Sequence, residues 1–324
     1  MDLLPLLSML PLTTHVVRVP IPTATLPPES DTNTYIVFDP RVSVREAVLV
    51  DAGSNHPQHI SSLLNLLKQL GIRRVNALVA THYHADHISG LPALQESLQA
   101  PIFIHEADRH AALMVLAREK NAVHPHPDFN HGETPASAVR SEVRNLTILP
   151  LPDVLNVGNI LLKMHHAPGH THGHIHVEVT DDAVVLVGDH LSGMGTVWVG
   201  PPDGHMVTYY KALASLIEGP WEVAGPGHGP PLIPAAYAAK TLLDRRHARE
   251  EQILTLLQKE PRDRFWLTRA IYPVSVLDQA GWVAERTVQA HLQYLLDDGL
   301  IRRRYHPDTG FMYSLCEMNG YFRH

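Results

Sequence analysis

Four side chains of the types that bind metal ions lie within six residues, directly after the short apolar segment at residues 77–80. The motif reads Thr81-His82-Tyr83-His84-Ala85-Asp86-His87. Residues two apart in an extended chain point the same way, so His82 and His84 can bind one ion. Asp86 and His87, on the turn into a helix, would face a second ion. The alternative is a histidine-rich surface loop.

Three more side chains of ligand type each follow a predicted strand. They are His170 in Ala-Pro-Gly-His-Thr, Asp189 in Val-Gly-Asp-His and His228 in Gly-Pro-Gly-His-Gly. Ligands in open α/β architectures gather beyond strand ends, and glycine permits the tight turns that aim such side chains. We therefore expect all of these strand ends to converge on one metal site.

Most of the 24 histidines are not expected to bind metal. Neighbouring residues of a strand reach opposite faces, so most histidines around His170 should be surface or packing residues. These are His165, His166, His172, His174 and His176. His190 follows Asp189 and could be either a ligand or a packing residue. The only cysteine is Cys316, which excludes an intramolecular disulfide and argues against a thiolate metal site.

Strands and helices alternate through most of the chain, which predicts a layered α/β domain with a mixed sheet. Helices are expected over residues 59–70, 106–119 and 206–217. Strands are expected at residues 33–38, 47–53, 77–80, 102–104, 160–164, 174–179, 183–187 and 221–224. Residues 121–135 lack periodicity and are rich in proline, so they predict a loop.

The character of the sequence changes near residue 235. Helices are predicted over residues 238–260, 267–272 and 285–298, and a β-hairpin over residues 300–315. Three helices and a hairpin indicate a winged helix-turn-helix. We predict two domains, a catalytic one over residues 1–235 and a winged helix over residues 236–324.

The metal motif resembles that of the metallo-β-lactamase-fold hydrolases, in which His-x-His-x-Asp-His is followed by single His, Asp and His ligands in that order. The resemblance implies an αββα sandwich with two metal ions. It implies one ion on His82, His84 and His170, the other on Asp86, His87 and His228, and Asp189 bridging them. Asp51, in Val-Asp-Ala-Gly, matches the family's buried acidic residue that supports the ligand loop, although an aspartate in an ordinary turn is an equal alternative.

The ligand set narrows the chemistry. A flavodiiron-type redox site would carry Glu in place of His84, and one class of β-lactamases carries Cys in place of Asp189. Nitrogen and carboxylate ligands suit zinc and tolerate manganese or iron. Two such ions, about 3.5–4 Å apart, lower the pKa of a shared water, so that a bridging hydroxide can attack the substrate. Asp189 would act as the bridge, and Asp86 could also pass a proton to the leaving group.

The C-terminal part resembles the metallo-β-lactamase subgroup typified by β-lactamase-like protein 2, which joins the catalytic domain to a small winged helix. The resemblance rests on Arg246-His-Ala-Arg-Glu-Glu-Gln-Ile-Leu, Ala290-His-Leu-Gln-Tyr-Leu, Gly299-Leu-Ile and Gly193-Met-Gly-Thr. Animal members of that subgroup are single-strand-specific endoribonucleases, and its polyketide-associated relatives include hydrolases of small-molecule esters, thioesters or lactones. The resemblance therefore leaves more than one substrate class open.

Three functions remain open on the sequence. A ribonuclease-like phosphodiesterase is favoured by Arg302, Arg303 and Arg304, which could contact phosphate. It is disfavoured by residues 1–239, where 13 Lys and Arg oppose 22 Asp and Glu, a net charge of −9. A hydrolase of small-molecule esters, thioesters or lactones is the alternative, with Trp198 as a candidate substrate contact or simply a packing residue.

A DNA-binding regulator with the metal domain as sensor is the third function, and it would read bases through Arg286, Gln289 and Gln293. The small domain could instead only cover an edge of the sandwich or make a dimer contact. No stretch approaches the roughly 20 apolar residues of a membrane span, and no secretory signal is recognisable, so a cytoplasmic protein is expected.

Overall fold

A seven-stranded mixed sheet forms the first half of the chain. The computed structural model describes residues 7–25, 28–121, 146–194, 197–308 and 310–316. The strands lie in chain order across this sheet, as β1 Leu10–Pro11, β2 Val16–Pro22, β3 Asp31–Phe38, β4 Arg45–Val50, β5 Ile72–Val79, β6 Ile102–Ile104 and β7 Ile148–Pro150. The pairs from β4 to β7 are parallel, so the carboxyl ends of these strands share one edge.

A five-stranded sheet forms the second half. Its order is β12 Val223–Pro226, β11 Val184–Gly188, β10 Ile175–Val179, β9 Ile160–His166 and β8 Val154–Val157. Strand β11 pairs in parallel with β12 and antiparallel with β10. The carboxyl ends of β11 and β12 therefore lie side by side.

Alternating side chains place each sheet between two hydrophobic layers. In β4, Val48 and Val50 face the space between the sheets, whereas Leu49 faces the outer layer. In β11, Leu186 faces the inner space and Val187 the opposite outer layer. A period of two is what a strand buried on both faces requires. The mixed α/β sandwich that the motif implied is confirmed.

Helices cover both outer faces. On the first sheet lie α1 Pro57–Gln69, α3 Leu91–Leu98 and α4 Glu106–Asn121, with the short α2 Ala85–Ile88 at the edge. On the second sheet lies α5 Met206–Glu218, packed against the first half of α6 Ala235–Leu257. Helices α1, α4, α5 and α6 begin and end within a few residues of the predicted bounds, whereas no bounds were predicted for α2 and α3. The predicted loop lies outside the described residues, except for Asn121.

The C-terminal part has its own small core. It combines the end of α6 with α7 Arg264–Ile271, α8 Val274–Asp297 and a three-stranded sheet of β13 Arg262–Asp263, β15 Gly310–Leu315 and β14 Ile301–His306. The predicted hairpin is present as β14 and β15. The predicted boundary at residue 235 falls at the first residue of α6. The winged helix-turn-helix assignment and the boundary itself remain predictions.

Helix α8 begins 11 residues earlier than the sequence indicated. Its first part, residues 274–279, is separated from the predicted part by a kink at Ala280, whose φ of −146° and ψ of 39° are not helical. Gly281 follows the kink, and glycine weakens a helix. This break interrupts the apolar periodicity, so sequence patterning detected only the second part of the helix. No helix in the described ranges is long and apolar enough to cross a membrane.

We predict that Leu162→Ala lowers the free energy of unfolding by about 2–5 kcal/mol, because it leaves a cavity between the two sheets. Leu162 lies in β9 and is fully buried, at 0 % exposure. The same substitution at Leu149, which is 39 % exposed, should change stability by about 0.5 kcal/mol or less. Urea unfolding of both variants measures the difference, and equal losses would contradict this account of the core.

Candidate metal centre

The ends of four strands carry the predicted ligands to one place. His82 and His84 follow β5, His170 follows β9, Asp189 directly follows β11, and His228 follows β12. Asp86 and His87 lie in the one-turn helix α2, which begins directly after His84. All seven predicted side chains converge between the two sheets, although the sequence separates the first and last by more than 140 residues.

The first group consists of His82, His84, His170 and Asp189, whose ligand atoms lie within 4.8 Å of one another. The Nδ1 atom of His84 lies 2.9 Å from the Nε2 of His82 and 3.0 Å from the Nε2 of His170. The Oδ2 atom of Asp189 lies 3.6 Å from the Nε2 of His170. Three imidazoles and a carboxylate thus offer enough donors for one tetrahedral ion.

The second group consists of Asp86, His87 and His228. The Nε2 of His228 lies 3.4 Å from the Nε2 of His87 and 3.4 Å from the Oδ2 of Asp86. The other oxygen of Asp189, Oδ1, lies 3.3 Å from the Nε2 of His87 and 3.4 Å from the Nε2 of His228. Asp189 therefore faces one group with each carboxylate oxygen, as a bridging ligand would.

The donor set fits metal ions better than it fits internal hydrogen bonding. The Oδ1 atom of Asp189 is buried and makes no hydrogen bond of good geometry, which is costly for a carboxylate. Gly227 leaves room for it, since a Cβ there would lie 2.4 Å from that oxygen and 2.6 Å from the Cε1 of His87. The chain thus keeps space around an unsatisfied anionic oxygen, which a cation would satisfy.

Asp51 fixes the loop that carries the motif. Its Oδ2 accepts a hydrogen bond from the Nδ1 of His87 at 2.8 Å, and its Oδ1 accepts one from the backbone N–H of Thr81 at 2.8 Å. The bond at Nδ1 turns the Nε2 of His87 toward the centre. Asp51 has a φ of 58°, a left-handed conformation that is uncommon for residues other than glycine and that indicates a functional constraint.

Three further imidazoles are oriented in the same way. The Nδ1 of His82 donates to the hydroxyl of Thr81 at 3.0 Å, which in turn donates to Asp51. The Nδ1 of His170 donates to the carbonyl of Trp198 at 2.7 Å, and that of His228 to the carbonyl of Asp31 at 2.8 Å. These bonds fix His82 and His170 with Nε2 unprotonated for a ligand role, and they turn the Nε2 of His228 toward the second group.

Burial keeps the imidazoles of the first group neutral. It lowers the pKa of His82 well below the usual range, and together with the neighbouring His170 it lowers the pKa of His84 to about 3. Burial also lowers the pKa of His170. A neutral imidazole is the form that binds a metal ion, so no proton has to be removed from this group first.

In the second group, carboxylates outweigh burial. Burial disfavours the charged form of His228, yet the Asp189 carboxylate raises the pKa of His228 to about 12. For the same reasons the pKa of His87 rises to about 10. The positive charges of these two protonated rings neutralise the negative charges of the carboxylates. A divalent ion bound to the same nitrogens would supply the positive charge instead, and the protons would be released.

A second cluster of buried histidines lies behind Asp189, and sequence reasoning did not find its role. The Nε2 of His174 accepts a hydrogen bond from the backbone N–H of Asp189 at 3.2 Å, so the hydrogen of His174 is on Nδ1. The Nε2 of His176 and the Nδ1 of His190 are 2.6 Å apart and share a hydrogen bond. His174 directly precedes β10 and His176 lies within it, so their side chains share one face, and the ring of His174 stacks on the ring of His82 with centroids 5.1 Å apart.

The family is shown by comparison with known proteins. The model of the metallo-beta-lactamase superfamily matches residues 27–253. A crystal structure of a metallo-beta-lactamase family protein from Thermus thermophilus matches 94 % of this chain and 100 % of that chain, with a TM-score of 0.69 and 24 % identity. The crystal structure of a beta-lactamase domain protein from Burkholderia ambifaria matches 97 % of this chain and 96 % of that chain, with a TM-score of 0.75 and 17 % identity. This chain belongs to the metallo-beta-lactamase superfamily, and it is an enzyme of the hydrolase type.

Two curated relatives are particular members of this superfamily whose names are more specific than the family. The chain is 23 % identical over 290 residues to the Beta-lactamase-like protein 2 homolog of Drosophila melanogaster, covering 86 % of this chain and 87 % of the relative. It is 24 % identical over 231 residues to the Atrochrysone carboxyl ACP thioesterase of Aspergillus chevalieri, covering 70 % of this chain and 61 % of the relative. The subgroup resemblance that the sequence suggested is confirmed by the first of these.

We expect Asp51→Asn to weaken metal binding by about 10- to 100-fold, because an amide supports the His87 ring and the Thr81 backbone less well than a carboxylate. Asparagine tolerates the left-handed backbone, so this variant should fold. The measurement is zinc affinity by competition with a chromophoric chelator.

Asp39→Asn is the matched control, since Asp39 is equally buried but its carboxylate bonds Arg41 and Asn159 away from the centre. It should lower stability and leave zinc affinity unchanged. An Asp51→Asn protein with wild-type affinity would show that Asp51 is only a turn residue.

Proposed function

We propose that this chain is a two-metal hydrolase of small-molecule thioesters or esters. The residues proposed to hold one ion are His82, His84 and His170, those for the other are Asp86, His87 and His228, and Asp189 would bridge them. Nitrogen and carboxylate donors at these positions favour zinc, with manganese or iron as alternatives. When bound, the ions would lower the pKa of a water and stabilise the oxyanion of the acyl group.

The protein supplies orientation and proton handling around this chemistry. The imidazoles are held by hydrogen bonds at their outer nitrogens, so their inner nitrogens need not reorganise during the reaction. Asp86 is the side chain we propose to take a proton from the attacking water and pass it to the leaving thiolate or alkoxide. Its side chain keeps 16 % exposure, so it can exchange protons with water. Asp189 and Asp86 are thus the proposed catalytic carboxylates.

The observation that carries the choice of substrate is an aromatic wall beside the centre, formed by Trp198 and Trp282. The Trp198 ring is stacked on the ring of His84, with centroids 6.0 Å apart. Trp282, from α8, meets Trp198 edge-on at 6.0 Å and is 43 % exposed. Indole rings bury large apolar areas, so this wall suits an apolar or aromatic acyl group next to the metal ions.

Charge supports the same choice. Residues 1–239 carry a net charge of −9, which opposes the binding of a polyanion to the catalytic part. An acyl thioester or ester carries no charge at its reacting carbonyl. The similarity to a protein named as an ACP thioesterase agrees with this substrate class, although the chain covers only 61 % of that relative.

Single-strand phosphodiester cleavage is the second candidate, and the C-terminal hairpin favours it. Tyr305, which is 68 % exposed, meets Phe311 at 5.5 Å between ring centroids, and the Arg303 guanidinium lies 4.4 Å from the Phe311 ring centroid. Exposed rings beside arginines are the means by which proteins bind single-stranded nucleic acid. Similarity to the Beta-lactamase-like protein 2 homolog extends over 86 % of the chain.

The regulator hypothesis has less support. Arg286 donates to the carbonyl of Pro201 at 2.7 Å, and Gln289 accepts from Arg264 at 2.8 Å. Gln293 donates to the carboxylate of Asp297 at 2.7 Å, so all three side chains predicted to read bases are engaged within the chain itself. DNA binding, an oligomer through the C-terminal part and a cytoplasmic location remain predictions.

The decisive experiment compares substrates on the full chain reconstituted with zinc or manganese. We expect hydrolysis of octanoyl and benzoyl thioesters of N-acetylcysteamine, measured by thiol release. The His84→Ala, Asp189→Ala double variant should lose at least about 1000-fold, because ligands of both ions are removed. Labelled single-stranded RNA is incubated in parallel, and RNA cleavage without thioester hydrolysis would replace the first candidate by the second.

A further prediction concerns the aromatic wall. Trp282→Ala should raise KM for the octanoyl and benzoyl thioesters about 3- to 10-fold, since one aromatic contact contributes about 0.5–1.5 kcal/mol. KM for the acetyl thioester, which is too short to reach the wall, should not change. Tyr305→Ala is the control for removing an exposed ring elsewhere in the C-terminal part. A Trp282→Ala enzyme with the same KM for all three acyl groups would refute the wall as a substrate contact.

A further inference from the structure

The motif around Arg246 and Glu250 marked the subgroup in the sequence, yet nothing in the proposed reaction uses it. Both residues lie in the middle of α6, one helical turn apart, and both are buried, with Arg246 only 5 % exposed. Burying a guanidinium is costly unless its donors are paired, and the Nε of Arg246 is buried without a hydrogen-bond partner while its Nη2 is paired. Its partners therefore indicate what the motif is for.

The Arg246 guanidinium reaches out of its helix to the segment that carries the aromatic wall. Its Nη2 donates a hydrogen bond to the carbonyl of Val197, and its Cζ lies 5.6 Å from the centroid of the Tyr209 ring. Tyr209 donates through its hydroxyl to the carbonyl of His190 at 2.8 Å. Arg246 thus contacts the segment that follows β11 and Asp189, directly at Val197 and through the Tyr209 ring at His190.

The carbonyl next to the one that Arg246 binds is the partner of a proposed metal ligand. Trp198 follows Val197 directly, and its carbonyl accepts the Nδ1–H of His170 at 2.7 Å. That bond fixes the His170 ring with Nε2 toward the first group. A displacement of the Val197 carbonyl would move the adjoining Trp198 peptide and rotate the imidazole with it.

Glu250 lies one turn further along the same face of α6 and holds that helix against its neighbours. Its carboxylate accepts hydrogen bonds from the Tyr210 hydroxyl and from the Nδ1 of His291, the latter at 3.1 Å. Tyr210 belongs to α5 and His291 to α8, where it is buried. The two residues of the motif therefore have different contacts. Glu250 fixes α6 between α5 and α8, whereas Arg246 binds the Val197 carbonyl, next to the peptide that holds His170.

We propose that Arg246 is a positioning residue for the metal centre, through which the C-terminal helices set the orientation of His170. The inference rests on the metal ligands of the proposed function and not on its substrate. The C-terminal part would then orient a metal ligand in addition to supplying Trp282. The subgroup motif would accordingly be retained for metal geometry.

The test uses the full chain with Arg246→Met, which keeps the length of the side chain and removes its donors. Cobalt(II) is the probe, read by its visible absorption spectrum and by competition with a chelator. We expect the ligand-field bands to shift and cobalt affinity at the first group to fall about 10- to 100-fold, as for other residues that orient ligands. Arg246→Gln, whose amide is shorter, is made in parallel in case the methionine variant does not fold.

Tyr210→Phe is the matched control, since it removes a buried hydrogen bond of the same cluster without touching Val197 or Trp198. It should lower thermal stability and leave the cobalt spectrum and affinity as in the wild type. A folded Arg246→Met or Arg246→Gln protein with the wild-type spectrum and affinity overturns the inference, as does an equal change in Tyr210→Phe. A wild-type chain that binds no cobalt would instead refute the metal centre itself.

Discussion

The Asp189 carboxylate lies buried between two sets of imidazole nitrogens, and the remaining structure depends on keeping it there. Burying a carboxylate is costly unless opposite charge is close by, and Asp189 has ring nitrogens of His87, His170 and His228 at 3.3–3.6 Å. In the protein alone, protons on His87 and His228 provide that charge. Two cations would provide it more fully, because each oxygen of Asp189 already faces a separate group of donors. The fold must therefore keep positive charge next to the Asp189 carboxylate.

The packing of the two sheets keeps the candidate ligands in fixed positions around Asp189. Their facing residues form a continuous apolar layer, so the ends of β4, β5, β9, β11 and β12 cannot shift independently of one another. In three of the loops that leave these ends, an imidazole donates a hydrogen bond from its outer nitrogen, to Asp51, to the carbonyl of Trp198 or to the carbonyl of Asp31. Rigid strands with oriented rings on short loops are the arrangement that holds metal ligands within a few tenths of an ångström.

The C-terminal part is tied to this centre at more than one point. Trp282 extends the surface beside His84, Arg286 binds Pro201, and Arg246 binds Val197. These contacts come from two helices that also share a core with the terminal hairpin. The part that distinguishes this subgroup is therefore in a position to influence both which substrate enters and how the ligands are oriented. A catalytic domain followed by an independent module would show no such contacts.

The sequence by itself determined the layered α/β architecture and the seven candidate side chains, because local signals encode both, and the resemblance of the motif to a known family implied the sandwich. Strand periodicity, the His-x-His-x-Asp-His spacing and the glycines before His170 and His228 are all local signals. Only the tertiary structure decided what supports the site. Asp51 was left undecided between two roles, the role of His174 was missed, and neither Arg246 nor Trp282 was linked to the centre.

These supporting residues find their partners far away in the chain. The separation is 15 residues for His174 and Asp189, 30 for Asp51 and Thr81, and 49 for Arg246 and Val197. Trp282 meets Trp198 across a still longer stretch of sequence. No periodicity within a segment encodes such pairings, because they depend on how separately formed elements pack.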